Sequence, residues 1–395
     1  MRVLAVADAD SYLKWSAATL DRLPADWQRA QVLLDSPIAP SPDQTRAATG
    51  SSITRLGLGA LARLVRRDPP DVLLLACTGP TVAVLAGLRV ARGRHRPVLV
   101  TGLPGISIPA SARALAHRRD CDLLVVHSRR ERDEFVRLAA TTARDLSVAL
   151  TGLPFLTRDL ARRHAAPEGG DVVFAAQAKV PPGRSDREAI LLALAEVRPS
   201  GSAVVKVRAT SGEQQTHHEE LPYAGLWEAL SSTGRVNPAG VRFVAGSMRT
   251  ALVEARSLVT VSSTAALEAI DTGVPVVVLN DFGVDDSLIN SVFAGSGCLG
   301  DLNDVRAGRA FSPDPRWLLD NYFHPVGEDD LVEKVTDLVR RRDGGQLSPR
   351  ERRRRPSWRR SRETARLLLP SWVLRPLRRI RAWGRFTPRP GRTAR

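Results

Sequence analysis

The sequence predicts an α/β protein made of two doubly wound parallel-sheet domains that face each other across a cleft, followed by a basic tail. Three observations predict it. Short runs of four to six Val, Leu, Ile and Ala residues recur along the chain, the pattern of strands buried on both faces. Between them lie stretches with apolar residues at three-and-four spacing, the pattern of helices that cover such a sheet. The alternation lapses once, over residues 157–170, into Arg, His, Pro and Gly, and then starts again.

The elements follow in order. In residues 1–156 the expected strands are Val3–Ala7, Gln31–Leu34, Asp71–Ala76, Pro97–Thr101, Asp122–His127 and Ser147–Thr151. The expected helices between them are Leu13–Arg22, Ser52–Arg67, Thr81–Arg92, Ser111–Arg118 and Arg129–Thr141. Ser128 ahead of Arg129-Arg130-Glu131 reads as a helix N-cap with Glu131 near the third position. Residues 157–170 form the linker. In residues 171–345 strands are expected at Asp171–Ala176, Ala203–Val207, Val241–Ala245, Leu258–Val261 and Val274–Leu279. Helices are expected there at Arg184–Val197, Tyr223–Ser231, Thr250–Ala255, Ala265–Thr272 and Glu328–Arg342. Repeated strand–helix–strand units make parallel, Rossmann-like sheets with helices on both faces.

At 395 residues the chain has room for two domains with sizeable cores. Its formal charge of +16 suggests nucleic acid, but the charge is local. Residues 346–395 hold seventeen Arg, no Lys and two Glu, a net +15, which leaves +1 for the other 345 residues. A near-neutral body argues against a nucleic-acid-binding core. Lysines are scarce: Lys14, Lys179, Lys206 and Lys334 stand against 54 Arg. Cys77, Cys121 and Cys298 are widely separated, lack metal-ligand spacing, and read as buried free thiols of a reducing compartment. The chain enters the Arg2–Ala7 segment directly, without a signal-peptide pattern, and no apolar run reaches about eighteen residues. These features predict a cytoplasmic protein that does not span a membrane.

In open parallel sheets ligands bind beyond the carboxyl ends of the strands, so functional residues are expected just after strands. The strongest signal runs from Val259 to Leu279 (VTVSSTAALEAIDTGVPVVVL), where a strand ends in Ser262, Ser263 and Thr264 and these open a small-residue helix. The start of such a helix presents free N–H groups and a positive dipole end, a natural phosphate site, to which hydroxyls add donors. Glu268, one turn inside, is placed to accept hydrogen bonds from a ribose diol. The alternative is an ordinary capped helix with a solvated glutamate.

The pattern Ser-Ser-Thr-x-x-Leu-Glu-Ala-x-x-x-Gly-x-Pro resembles the donor-binding helix of GT-B-fold glycosyltransferases, including capsule and teichoic-acid transferases, and of nucleotide-sugar 2-epimerases. More closely, segments 174–181 (FAAQAKVP), 206–209 (KVRA), 212–217 (GEQQTH), 281–284 (DFGV) and 320–324 (DNYFH) resemble a bacterial glycosyltransferase-like family. The resemblance covers about residues 1–325 and is most specific in the second half. It implies a GT-B fold and a nucleotide-sugar donor.

The residues of these segments fall where a donor site needs them. Gln177 and Lys179 follow the first strand of the second half, in a loop that continues Pro181-Pro182-Gly183. Lys206 and Arg208 end the next strand, where a diphosphate calls for cations, Arg for bidentate contact and Lys as a point charge. Gln215 belongs with them, and the family pattern favours His217 over His218 as the cleft-facing histidine, a general base or a phosphate ligand. Fixed cations in place of a catalytic ion predict a metal-independent reaction with no further cofactor.

In the first half, Asp8 and Asp10 follow the first strand. Their Asp-x-Asp spacing is similar to the metal site of GT-A transferases, but the second half already carries a phosphate-binding helix. They stand instead as candidates for the base that deprotonates an acceptor hydroxyl, or for the cap of the next helix. Asp281-Phe282-Gly283 lacks the other kinase motifs and is not read as one. The two TGLP stretches, 101–104 and 151–154, read as strand exits near the cleft, the second as the hinge.

Beyond residue 346, aromatic and aliphatic residues from Leu367 to Phe386 alternate with Arg, a composition that suits an anionic membrane surface. Pro370 and Pro376 divide that stretch into short pieces. The expectation is therefore a GT-B glycosyltransferase, peripheral on the inner face of the cell membrane. It moves a sugar from a nucleotide-activated donor to an envelope glycan or a lipid-linked acceptor. The alternatives are a nucleotide-sugar 2-epimerase of the same fold and a non-catalytic envelope-assembly protein.

Overall fold

The computed structural model describes residues 1–347 except 37, 51, 94, 142–145, 160–168, 198–202 and 208–219, and beyond these only Thr364, Ala365 and Leu367. The first domain runs β1 (Arg2–Ala7), α1 (Asp10–Asp21), β2 (Gln28–Leu34), α2 (Pro42–Thr49), β3 (Arg55–Leu56), α3 (Leu58–Arg67) and β4 (Val72–Ala76). It continues through α4 (Gly79–Leu85), β5 (Val98–Gly102), α5 (Ala112–Arg118), β6 (Leu123–Val126), α6 (Arg129–Ala140) and β7 (Ser147–Leu150). Its seven strands are all parallel, in the order β3-β2-β1-β4-β5-β6-β7.

The second domain repeats the plan. It contains β8 (Asp171–Ala175), α7 (Arg184–Ala195), β9 (Ala203–Lys206), α8 (Tyr223–Ser232), β10 (Val241–Val244), α9 (Met248–Val253) and β11 (Ala255–Thr260). Then come α10 (Ala265–Thr272), β12 (Val276–Leu279), β13 (Leu299–Gly300), α11 (Leu302–Arg306) and α12 (Pro315–Asp320). Its six strands are parallel, in the order β10-β9-β8-β11-β12-β13.

The strands are apolar at nearly every position because both faces of each sheet are covered. Along β1, Val3 and Ala5 enter one core while Leu4 and Val6 enter the other, the period of two expected of a strand. Expected strands and observed strands agree to within a few residues, except that β3 and β13 were not anticipated. The helix expected over Ser52–Arg67 starts only at Leu58: Gly57 holds extended backbone, and Leu56 pairs with Leu34 at the sheet edge. The helix expected over Thr81–Arg92 ends at Leu85, ahead of Ala86-Gly87. The three cysteines are buried free thiols, as their apolar surroundings predict.

One helix leaves the domain that precedes it. This helix, α13 (Leu331–Asp343), packs Leu331, Val335, Leu338 and Val339 into the core beneath the first sheet. Polar contacts fix its register there: Asp330 accepts from Leu150 N at 2.7 Å, and Arg342 Nη2 reaches Asp71 at 2.9 Å. In the other direction, Ile106 and Ile108 after β5, with Leu153 and Leu156 after β7, pack into the core around α10. Each domain therefore lends apolar groups to the other.

Candidate functional site

Each sheet has a topological switch point, where the strand order reverses and two neighbouring loops leave in opposite directions. In the first sheet this lies between β1 and β4, in the second between β8 and β11. A side chain ties the two loops together in both cases. Asp8 after β1 accepts from Thr78 N (2.9 Å) and Thr78 Oγ1 (2.7 Å) after β4. Gln177 after β8 accepts from Ser262 N (2.9 Å) after β11, and its Nε2 donates to Ser262 Oγ (2.9 Å). The second tie opens onto α10.

At the start of α10 most backbone donors are already engaged. Ser263 N donates to Thr260 Oγ1 (3.1 Å), Ala265 N to Ser263 Oγ (3.2 Å) and Ala266 N to Ser263 O (3.1 Å). Two of the three hydroxyls are thus bound up in shaping the turn. Among the described residues, the N–H and hydroxyl of Thr264 have no partner, so Thr264 is the open group of the three. It lies at the domain boundary: a Cβ added at Gly105 of the first domain would sit 3.4 Å from Thr264 Cγ2.

Two sequence-predicted charges lie in the same domain within electrostatic reach of each other. Lys206 is buried at the end of β9 and donates to Val207 O at 2.7 Å. Glu268 is half-buried in the first turn of α10. Burial raises its pKa above the ordinary glutamate value, while Arg249 and, to a lesser degree, Lys206 draw it back down. Lys206 and Glu268 therefore sense each other's charge, and Arg249 joins them without any signal in the sequence. Lys179 is exposed on the loop after β8. Arg208, Gln215 and His217 lie outside the described residues.

That loop is set by a residue that sequence reasoning passed over. Arg187 of α7 is 2% exposed and distributes its guanidinium over main-chain carbonyls. Nε donates to Pro181 O (2.9 Å), Nη1 to Leu221 O (2.7 Å), and Nη2 to Ala178 O (2.9 Å) and Gln177 O (3.3 Å). The guanidinium also stacks over the Tyr223 ring, 4.8 Å from its centroid. Arg187 thereby holds the backbone of Gln177, whose side chain holds Ser262.

In the first domain the two aspartates separate. Asp8 is fully buried, both of its oxygens accept from Thr78, and burial raises its pKa above the ordinary value. As a base it would reach an acceptor only by giving up contacts with Thr78. Asp10, the first residue of α1, is partly exposed and pairs with Lys14 at 2.8 Å. Neither caps α1, whose N-cap position is Ala9.

A buried polar chain crosses between the domains. Trp15 Nε1 donates to His127 Nε2 (2.8 Å); since an indole can only donate, His127 is neutral with its proton on Nδ1, which donates to Thr151 O (3.0 Å). Burial lowers the His127 pKa in the same sense. Glu131, capped by Ser128 as expected, accepts from His127 N (2.8 Å), Ser107 N (2.9 Å) and the Tyr322 hydroxyl (2.5 Å). Nearby, Asp271 of α10 accepts from the backbone of Thr157 (2.7 Å) and Arg158 (2.8 Å). Arg158 and His324 in turn bind Asp329 at 2.7 and 3.0 Å. Tyr322 and His324 were legible only as polar groups in an aromatic stretch, and two of their partners, Glu131 and Arg158, are 191 and 166 residues away.

Residues 3–338 match the protein family described as "Putative glycosyltransferase (DUF6716)". The chain belongs to this family. No curated protein matches it in sequence. Among solved structures, it is similar to UDP-GlcNAc 2-epimerase from Methanocaldococcus jannaschii at TM-score 0.53 and 10% identity, covering 86% of this chain and 99% of that one. It is also similar to a co-structure of S. aureus MnaA with UDP, at TM-score 0.52 and 12% identity, covering 88% and 97%. A third is UDP-GlcNAc 2-epimerase from Neisseria meningitidis bound to UDP-GlcNAc, at 0.50 and 12%, covering 88% and 93%. At these identities the likeness is one of fold. The family member has the GT-B arrangement that its sequence predicts, two parallel-sheet α/β domains.

Proposed function

We propose that the protein transfers a sugar from a nucleotide-activated donor, which the second domain binds at the start of α10. The observation that carries this reading is the Gln177–Ser262 tie at the second switch point, with Thr264 open, Glu268 half-buried one turn in, and buried Lys206 near enough to lower the Glu268 pKa. Thr264 N–H and the Lys206 ammonium supply donors and positive charge for a diphosphate. Glu268 accepts from the ribose. As the bond to the sugar breaks, charge grows on the leaving diphosphate, and a fixed cation that meets it there lowers the barrier without a metal ion. UDP and UDP-GlcNAc, named in two of the similar structures, are the first nucleotides to test.

The first domain receives the acceptor, with Asp10 or His217 as the base. The Arg-rich C-terminal tail brings the protein to an anionic membrane surface, which favours an envelope glycan or a lipid-linked acceptor. Two experiments test the reading. Calorimetry with a panel of nucleoside diphosphates is expected to show binding of at least one; no binding at all favours an assembly protein. Lys206→Ala is expected to lower turnover far more than melting temperature, and full activity of that variant removes its assigned role. An epimerase reading is separated by supplying donor alone, since only an epimerase turns it over without an acceptor.

A further inference from the structure

A groove of about 550 Å³ runs between α6 of the first domain and α12 of the second. Four arginines line it, and two of them are satisfied within the protein. Arg129 grips Glu328 with two hydrogen bonds, and Arg130 binds Glu134 at 3.2 Å. Three aspartates also line it, two of them in loose, exposed ion pairs of 3.7 and 3.8 Å. Asp133 pairs with Arg132, Asp320 with Arg129, and Asp314 caps α12 by accepting from Arg316 N and Trp317 N.

What remains is Arg137 from one domain and Arg316 from the other. Among the described residues neither guanidinium has a carboxylate partner; Arg137 gives only its Nε to Asp133 O, at 3.2 Å. Two like charges lining one groove repel each other, and an anion between them relieves that repulsion. At the wall of the groove Asn321 is 3% exposed, its Nδ2 donates to Trp317 O at 3.0 Å, and its Oδ1 has no donor. A buried acceptor left unpaired can still take one N–H or O–H, from a water or from a ligand that reaches it.

We propose that this groove binds a sugar bearing a phosphate or carboxylate, with the anion bridging Arg137 and Arg316 and a hydroxyl donating to Asn321. The bidentate geometry of Arg suits either anion. Because its two guanidiniums come from different domains, occupancy stabilises the observed domain arrangement. The groove shares no lining residue with the donor site, so either site can be lost without the other.

The test is calorimetry on the full chain with UDP present throughout, titrating glucose 6-phosphate, glucuronate, oligogalacturonate and glucose in turn. Glucose 6-phosphate or glucuronate is expected to bind and glucose not to. A preference for oligogalacturonate marks an acidic glycan chain as the source, and a preference for glucose 6-phosphate marks a free sugar phosphate. Arg137→Gln and Arg316→Gln, both at exposed positions, are each expected to weaken binding at least about tenfold while melting temperature stays unchanged. Equal binding of glucose, absence of saturation at millimolar ligand, or affinity indifferent to both substitutions overturns the proposal.

Discussion

The Tyr322 hydroxyl of the second domain donates a 2.5 Å hydrogen bond to Oε1 of Glu131 in the first, and both side chains are fully buried. Burial and the neighbouring carboxylate push the Tyr322 pKa well above its ordinary value, so the phenol stays protonated and remains the donor. Tyr322→Phe removes that proton and leaves a buried carboxylate short of one partner. The expected loss of stability is about 1.5–3 kcal/mol, the range for a hydrogen bond to a charged group. Urea unfolding near neutral pH measures it, and a midpoint equal to wild type contradicts it.

Acid stability is predicted to depend on Asp329. Burial alone would raise its pKa, but hydrogen bonds from His324 and Arg158 outweigh that and hold it far below the ordinary carboxylate value. A depressed folded-state pKa adds stability that is fully present above the unfolded value, about 3.9, and is lost as pH falls from there toward the folded value. The melting-temperature gap between wild type and Asp329→Asn should therefore be constant above about pH 5 and narrow below about pH 4. A gap of the same size at both ends of that range refutes the assignment.

Donor affinity should carry a different pH signature. Burial raises the Glu268 pKa, so its carboxylate protonates at a higher pH than an ordinary glutamate, about 4.3, and loses its capacity to accept from both ribose hydroxyls. Nucleotide binding is expected to weaken on acidification before that value is reached, and Glu268→Gln is expected to bind weakly with a flat profile. A wild-type profile as flat as the variant's excludes contact between Glu268 and the ribose.

If the donor is bound as proposed, Arg187 is a positioning residue that acts through Gln177. Lys cannot reproduce a fork that reaches four carbonyl oxygens, so Arg187→Lys loosens the loop after β8 while keeping the charge. Donor KM is expected to rise by about tenfold with a smaller change in kcat, since bound and reacting donor lose the same support. A fall in kcat at unchanged KM would mean that the loop serves the reacting atoms instead.

Much of the fold was legible because it rests on local pattern. Helix α10 was bounded residue for residue: three hydroxyls precede it, and Gly273, with φ of 88°, ends it in the left-handed region. Strand β4 stood out as an unbroken apolar run, and β5 through Val98–Val100, because both their faces are covered. The two-residue strand β3 was hidden, since its pairing with β2 leaves no periodic trace. The candidate site was legible in type more than in role. Ser262 and Glu268 stood out after a strand, whereas nothing local in the sequence showed that Asp8 is buried against Thr78.

Sequence by itself determines the two sheets, the loops after their strands, the small-residue helix opened by three hydroxyls and the concentration of net positive charge in the last fifty residues. These depend on neighbours within a turn or a strand, where spacing and residue type suffice. Tertiary structure alone decides which polar groups are spent. Gln177 meets Ser262 across 85 residues, Tyr322 meets Glu131 across 191, and α13 returns to seal the first sheet. The reason is physical: a hydrogen bond or a buried face is satisfied by whatever the fold brings near, and only the assembled chain shows which donors and charges remain for a ligand.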